Sequence, residues 1–234
     1  MNPRYRFLFF DLDRTLWDFQ ANSEETLNEL FHARQLEREI GSFRNFADTW
    51  NQHNERLWRA LQKGEITKAE LRTQRFEATL QAFGIENPLL AAELNSAYLR
   101  ICPEKTTLLD GALETLNYLK SKSYKLYILS NGFTRIQKIK VAASQLEPYF
   151  DQLFTSEWAG CSKPKPGIFR KAFSSVNASK KWSLMIGDDQ TTDILGAQNF
   201  GIDQVWFNPS GKESVTSPTY EIARLTDLRD KLGL

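Results

Sequence analysis

A chain of 234 residues with 41% hydrophobic and 25% charged side chains can bury the core of a globular domain and still carry a second, smaller unit. Its net charge of +1 gives no electrostatic reason for a nucleic-acid polymer or an acidic membrane surface as partner. No apolar stretch approaches the roughly 20 residues of a membrane span.

The chain opens on Phe7-Leu8-Phe9-Phe10, an apolar run that reads as a strand, and Met1 to Arg6 before it leave no room for a signal peptide. The only cysteines, Cys102 and Cys161, have no metal-type spacing, which argues against a disulfide scaffold and fits a cytoplasmic protein. From about residue 20 to about 100 the texture is helical. Leu27, Leu30 and Phe31 follow Asn22-Ser23, which reads as an N-cap, and Phe43, Phe46, Trp50, Leu57, Trp58 and Leu61 carry a second apolar stripe. Thr67-Lys68-Ala69-Glu70 reads as a capping box before Leu71, Phe76, Leu80 and Phe83, and Pro88 starts a fourth helix. A small antiparallel bundle is expected here.

Beyond about residue 103, helix and strand alternate. Gly111 to Leu119 reads as a helix capped by Asp110. Strands are expected at Tyr124 to Leu129, Phe150 to Phe154, Trp182 to Ile186 and Val205 to Phe207. Helices are expected at Ile136 to Ser144, Gly167 to Val176 and Thr192 to Phe200. The alternation implies a doubly wound parallel sheet of the Rossmann-like α/β class, with right-handed crossovers. The expected division is a catalytic α/β core, residues 1–16 and 101–234, with a helical cap, residues 17–100, inserted after the first strand.

Polar groups gather where the strands end. Asp11 and Asp13 close the first strand and, two residues apart, project the same way. Carboxylates held that close repel unless a cation or proton lies between them, and one can serve as nucleophile while the other moves a proton. Ser130-Asn131 end the second strand and Asp188-Asp189 a later one, and the loop Ser162-Lys163-Pro164-Lys165-Pro166 can aim one lysine at the same edge. Carboxylates, a lysine, a hydroxyl and backbone amides together make a site for phosphate and a divalent cation, and oxygen-only ligands favour Mg2+.

In order and strand context, Asp11-x-Asp13-x-Thr15, Ser130-Asn131-Gly132, Lys163-Pro164 and Gly187-Asp188-Asp189-x-x-x-Asp193 resemble the four motifs of the haloacid dehalogenase-like hydrolases. The match runs from residue 7 to about residue 208, and the helical block resembles that superfamily's cap. The resemblance implies that Asp11 attacks phosphorus and that Asp13 protonates the leaving oxygen and then deprotonates water. Thr15 would steady the loop and Asp13, while Ser130 and the Asn131 amide would hold phosphoryl oxygens and Lys163 would offset charge. Magnesium would be held by Asp11, Asp188 and the backbone carbonyl of Asp13. Asp189 and Asp193 would act from outside the ligand set, through water and on Lys163.

An acid at position 13 favours phosphate esters over halides, because a halide leaves without a proton. Glycine is common in the family where Arg14 stands here. The runs Asp13-Arg14-Thr15-Leu16-Trp17-Asp18-Phe19 and Leu57-Trp58-x5-Gly64-Glu65-Ile66-Thr67-x3-Leu71-Arg72-x2-Arg75-Phe76 resemble a pyrimidine 5'-nucleotidase branch. The expectation is therefore a magnesium-dependent phosphomonoester hydrolase acting on small-molecule substrates, nucleoside (pyrimidine) 5'-monophosphates, as a monomer or homodimer. A sugar-phosphate phosphatase, a hexose phosphomutase and a non-catalytic scaffold are the competing readings.

Several residues have plainer alternatives. Asp189 and Asp193 can cap the following helix, and Lys165 rivals Lys163. Trp17 and Trp58 can stack a base or fill a core; Lys63, Arg72 and Arg75 can contact substrate or form a solvated face. His32 and His53 have no useful spacing.

Overall fold

The computed structural model describes residues 4–231. The described backbone forms two compact units, one running to Phe19 and resuming at Thr106, the other Gln20–Lys105. The division falls a few residues later than residues 16 and 100, and it assigns Trp17 to the α/β unit.

Elements follow in chain order as β1 (Phe7–Phe10), α1 (Phe19–Ala33), α2 (Glu37–Ile40), α3 (Phe43–Lys63), α4 (Lys68–Gln81) and α5 (Pro88–Ile101). They continue as α6 (Ala112–Ser121), β2 (Lys125–Ser130), α7 (Thr134–Ala143), β3 (Gln152–Thr155), α8 (Ser156–Ala159) and α9 (Pro166–Val176). The last are β4 (Ser183–Gly187), α10 (Leu195–Phe200), β5 (Asp203–Phe207), β6 (Tyr220–Ile222) and α11 (Leu228–Lys231). Among the described residues no helix is long and apolar enough to cross a membrane.

All strand pairs are parallel, in the order β3-β2-β1-β4-β5-β6. This is the doubly wound α/β class. Both sheet faces are covered, which is why β1, β2 and β4 read as nearly unbroken apolar runs. Phe9, Tyr127, Leu129 and Met185 share one face and pack with Phe169 and Phe173 of α9 and Phe200 of α10. Phe9 stacks on Phe173 with ring centres 4.6 Å apart. Because strand order reverses between β1 and β4, a crevice opens at their carboxyl ends. Asp11 follows β1 directly there, its amide donating to the Ile186 carbonyl at 2.9 Å.

In the helical unit α4 packs against both α3 and α5. Phe31, Phe46, Trp50, Phe76 and Tyr98 form its aromatic centre. The capping box at Thr67 is complete, with the Thr67 amide donating to Glu70 Oε2 at 2.7 Å and the Glu70 amide to Thr67 Oγ1 at 3.2 Å. The Asn22-Ser23 cap is corrected, since α1 starts a turn earlier at Phe19 and both residues are buried within it. There Ser23 Oγ pairs with the Tyr98 hydroxyl at 2.9 Å. Asp110 is likewise no cap, because Gly111 takes that position with φ 77° and no side chain contributes. The expected helix from Thr192 begins instead with a π-helical turn, Gln190–Ile194, before α10.

Candidate active site

The carboxyl ends of β1, β2 and β4 bring the predicted residues together in the α/β unit. Lys163 reaches in from its loop and is 1% exposed. Its Nζ donates to Asp11 Oδ1 and the Leu129 carbonyl, both at 2.6 Å, and pairs with Asp193 Oδ1 at 2.6 Å. Lys165, the rival lysine, is exposed at the start of α9. The Asn131 side chain clamps the lysine loop, accepting from the Lys163 amide at 2.8 Å and donating to the Lys163 carbonyl at 3.0 Å. Its side-chain amide is therefore spent on positioning lysine.

Asp11, Asp188 and Asp193 each turn a carboxylate oxygen into one cluster, within 4.8 Å of one another. Burial raises the Asp11 carboxyl, against the pull of Lys163. Burial also pushes Asp188 up to about 7, with repulsion from Asp11 and Asp189 adding to it. Asp193 lies well above the usual carboxylate range for the same first reason. Burial works to lower the Lys163 ammonium, but Asp11 and Asp193 outweigh it and hold the group above its ordinary value. Three carboxylates sharing one buried lysine leave negative charge uncompensated, and their all-oxygen donor set fits a hard divalent cation.

Local backbone makes the cluster possible. At Gly187 an added Cβ would fall 2.2 Å from Asp193 Oδ2, so only glycine lets that carboxylate cross the end of β4. Asp193 also accepts from the Asp189 amide at 3.3 Å. Asp189 itself is a cap: its Oδ1 accepts from the Thr191 and Thr192 amides at 2.7 and 3.1 Å. This is the capping use that the sequence also allowed for it. Thr15 differs from expectation, donating to Asp188 Oδ1 at 3.3 Å in place of Asp13.

The Asp13 carboxylate stands apart from the cluster. Its Oδ2 accepts from Gln137 Nε2 at 2.7 Å and its Oδ1 is paired with Lys140 Nζ. Gln137 Nε2 also donates to Ser130 Oγ at 2.8 Å, and the Gly132 amide reaches the same oxygen at 3.1 Å. Neither Gln137 nor Lys140 is suggested by motifs at strand ends. The available signal was two polar residues at i and i+3 on the buried face of α7, beside Val141.

Trp17 is fully buried in the α/β unit with Lys140 Nζ 3.9 Å from its ring centre, so it fills core and presents no stacking surface. Arg14 takes φ 64°, the left-handed region, and its guanidinium covers the Phe19 ring at 4.8 Å. Glycine adopts that backbone without the steric cost a side chain carries. In the helical unit, Trp58 is half-buried and Arg72 exposed, while Lys63 is exposed 3.8 Å from Glu65. Arg75 is no part of a solvated face: it is 4% exposed, between Asn54 and Asn95 and against the rings of Trp50 and Tyr98. His32 is exposed and paired with Glu37.

Fold and site together define a doubly wound α/β protein whose switch point holds a carboxylate cluster, a buried lysine and a hydroxyl. A family model for haloacid dehalogenase-like hydrolases matches residues 5–201. The chain is 37% identical to the pyrimidine 5'-nucleotidase PynA of Streptococcus pneumoniae, over 97% of this chain and 95% of that protein. It is 31% identical to the pyrimidine 5'-nucleotidase YjjG of Escherichia coli, over 98% of each. The crystal structure of the putative hydrolase YfnB from Bacillus subtilis, bound to magnesium, superposes with a TM-score of 0.90 at 35% identity, covering 99% of this chain and 100% of that one. The chain belongs to the haloacid dehalogenase-like hydrolases.

Proposed function

We propose that this hydrolase is a magnesium-dependent phosphatase that passes the phosphoryl group through Asp11 and acts on pyrimidine nucleoside 5'-monophosphates. The observation that carries the chemistry is the separation of the two aspartates. Asp11 lies in the carboxylate cluster under Lys163, while Asp13, two residues on, is held by a different lysine and an amide. In the first step the Asp11 carboxylate forms a bond to phosphorus as the ester P–O bond breaks, and Asp13 gives its proton to the departing alcohol. In the second, Asp13 takes a proton from water as the water oxygen bonds phosphorus, and Asp11 leaves as a carboxylate. Each step conserves charge, and the two together return the enzyme to its starting state.

Asp11 and Asp188, with the backbone carbonyl of Asp13, would hold magnesium; the crystallised relative YfnB is itself described as bound to magnesium. The ion supplies positive charge against the phosphoryl oxygens. Lys163 offsets charge on Asp11, and the Ser130 hydroxyl and Asn131 backbone amide orient the phosphoryl group. The pyrimidine nucleotide assignment rests on the two nucleotidases that match nearly the whole chain. Trp58, Lys63 and Arg72 are the residues of the helical unit proposed to select the substrate; Arg75, buried inside that unit, is not among them.

The test is a panel of nucleoside and sugar monophosphates, with magnesium and with chelator, scored for free phosphate and for isomerised product. Pyrimidine monophosphates should lead and chelator should stop release. Faster turnover of sugar phosphates would overturn the substrate class, and an isomerised phosphosugar would identify a mutase.

A further inference from the structure

We infer that Lys140 and Gln137 are positioning residues that hold the Asp13 carboxylate in place for proton transfer, an inference that rests on Asp13 being the proton donor. Lysine is seldom buried without a partner, because desolvating an ammonium costs several kcal/mol in round terms. The Lys140 side chain is only 6% exposed, and its carboxylate partner is Asp13. Its Nζ lies over Trp17 at 3.9 Å and is 5.7 Å from the centre of Phe19. The ammonium is thus confined by an aromatic floor, and its freedom to swing between partners is small.

Gln137 completes the grip one helical turn earlier. Its Nε2 takes the other Asp13 oxygen at 2.7 Å and ties it to Ser130 Oγ at 2.8 Å. The Gln137 side chain passes over Gly132 so closely that a Cβ there would lie 2.1 Å from Nε2. Its Oε1 is buried with no hydrogen-bond partner, so the amide is placed for what its nitrogen does. The floor under Lys140 is built as deliberately: the Arg14 amide donates to the Trp17 carbonyl at 2.9 Å, folding residues 13–17 into a tight turn that sets Trp17 behind Asp13.

The arrangement divides the cationic work. Lys163 serves Asp11 and Asp193, and Lys140 serves Asp13. With both oxygens engaged, the Asp13 carboxylate cannot rotate freely about its terminal bond. A proton donor loses effectiveness when it is displaced by as little as 1 Å or so from its acceptor. That constraint gives α7 a function in the reaction although none of its residues lies at a strand end.

Leaving-group dependence separates positioning from general damage. Cleavage of an alkyl phosphate such as uridine 5'-monophosphate needs a proton on the departing oxygen, whereas p-nitrophenyl phosphate expels a stable anion. The quantity to read is kcat/KM, which covers the chemistry only up to departure of the leaving group. Lys140→Met should lower kcat/KM by about 10²-fold on the alkyl ester, within the range a placed acid contributes, and by no more than about 3-fold on the nitrophenyl ester. Gln137→Leu, which also removes an unpaired buried oxygen, should show the same selectivity, and Lys140→Arg should recover part of the alkyl-ester rate.

Asp13→Asn is the reference. If it is selective for the alkyl ester while Lys140→Met and Gln137→Leu lose equally on both esters, the positioning inference is wrong and Asp13 keeps its role. If Asp13→Asn itself loses equally on both, the assignment of Asp13 as the donor is wrong and the inference falls with it. Gln137→Leu provides the decision should Lys140→Met not fold, as judged by circular dichroism.

Discussion

Replacing Lys163 by methionine should destabilise the protein as well as inactivate it. The lysine makes two ion pairs at 2.6 Å, to Asp11 and Asp193, and it is 1% exposed. At an effective dielectric constant of about 20, each pair at that distance is worth about 6 kcal/mol of Coulomb attraction before desolvation is charged against it. Breaking a buried pair by removing one partner costs about 3–5 kcal/mol, because the abandoned carboxylates stay buried. In a chain of this length about 1 kcal/mol moves Tm by roughly 2–4 °C, so Lys163→Met should melt at least about 6 °C lower.

The deficit has a definite pH dependence in metal-free protein. Asp11 and Asp193 already sit above their unfolded values, through burial first and against the pull of Lys163, with repulsion from Asp13 adding at Asp11 and from Asp11, Asp188 and Asp189 at Asp193. A carboxyl raised on folding stabilises the native state at low pH and loses that contribution as pH rises through its folded value. Without lysine both rise further, so the melting deficit at pH 8 should exceed that at pH 5. Magnesium should recover part of it at pH 8. Differential scanning calorimetry of chelated and magnesium-loaded protein reads all three. A Tm within 2 °C of wild type at pH 8, in chelator, would refute the claim that Lys163 compensates two buried carboxylates.

Three further outcomes follow from single residues. Asp188 is raised to about 7, so its contribution to metal-free stability declines between its unfolded value and that pH, and magnesium should raise Tm more at pH 8 than at pH 6; Asp188→Asn should flatten that difference, and an unchanged difference in thermal scans would contradict it. Gly187→Ala places a methyl 2.2 Å from Asp193 Oδ2 and should cost about 1–3 kcal/mol in urea unfolding, with a weaker magnesium midpoint in titration; wild-type magnesium affinity would show that Asp193 tolerates displacement. Arg14 holds φ 64°, so Arg14→Gly should leave Tm equal or higher while Arg14→Val lowers it by the equivalent of about 1–2 kcal/mol; equal melting of the two would show that this backbone carries no strain for a branched side chain.

Much of this molecule is legible in its sequence, and what is not has physical causes. Strands buried on both faces announce themselves as apolar runs, so β1, β2 and β4 can be read directly, and the residues at their carboxyl ends converge because a parallel sheet leaves them no other place. β6 is three residues long at the sheet edge, where little apolar pattern is needed. Asn22 and Ser23 have the composition of a cap, yet packing with Tyr98 draws them inside α1. Gly111 displaces Asp110 because a residue with φ 77° sets the turn there. Asp189 and Asp193 look equivalent in the motif, and only the path across Gly187 decides that one caps a turn while the other faces Lys163.

The grip on Asp13 was the least legible part. Gln137 and Lys140 lie in a helix whose other buried residue is apolar Val141, and a lysine on such a face reads by default as solvated. Its meaning comes from two distant residues, Asp13 and Trp17, that the fold sets around it. Likewise Arg75 belongs to the interior of the helical unit because Trp50, Tyr98, Asn54 and Asn95 converge on it from other helices.

The central claim is that Asp11 carries the phosphoryl group between the two half-reactions. Rapid acid quench of the wild-type protein with magnesium and 32P-labelled uridine 5'-monophosphate tests it most directly. The account predicts protein-bound label within a single turnover, lost on treatment with hydroxylamine as an acyl phosphate should be, and absent from Asp11→Asn. Continued turnover by Asp11→Asn, or burst kinetics in wild type with no labelled protein at any quench time, would contradict it.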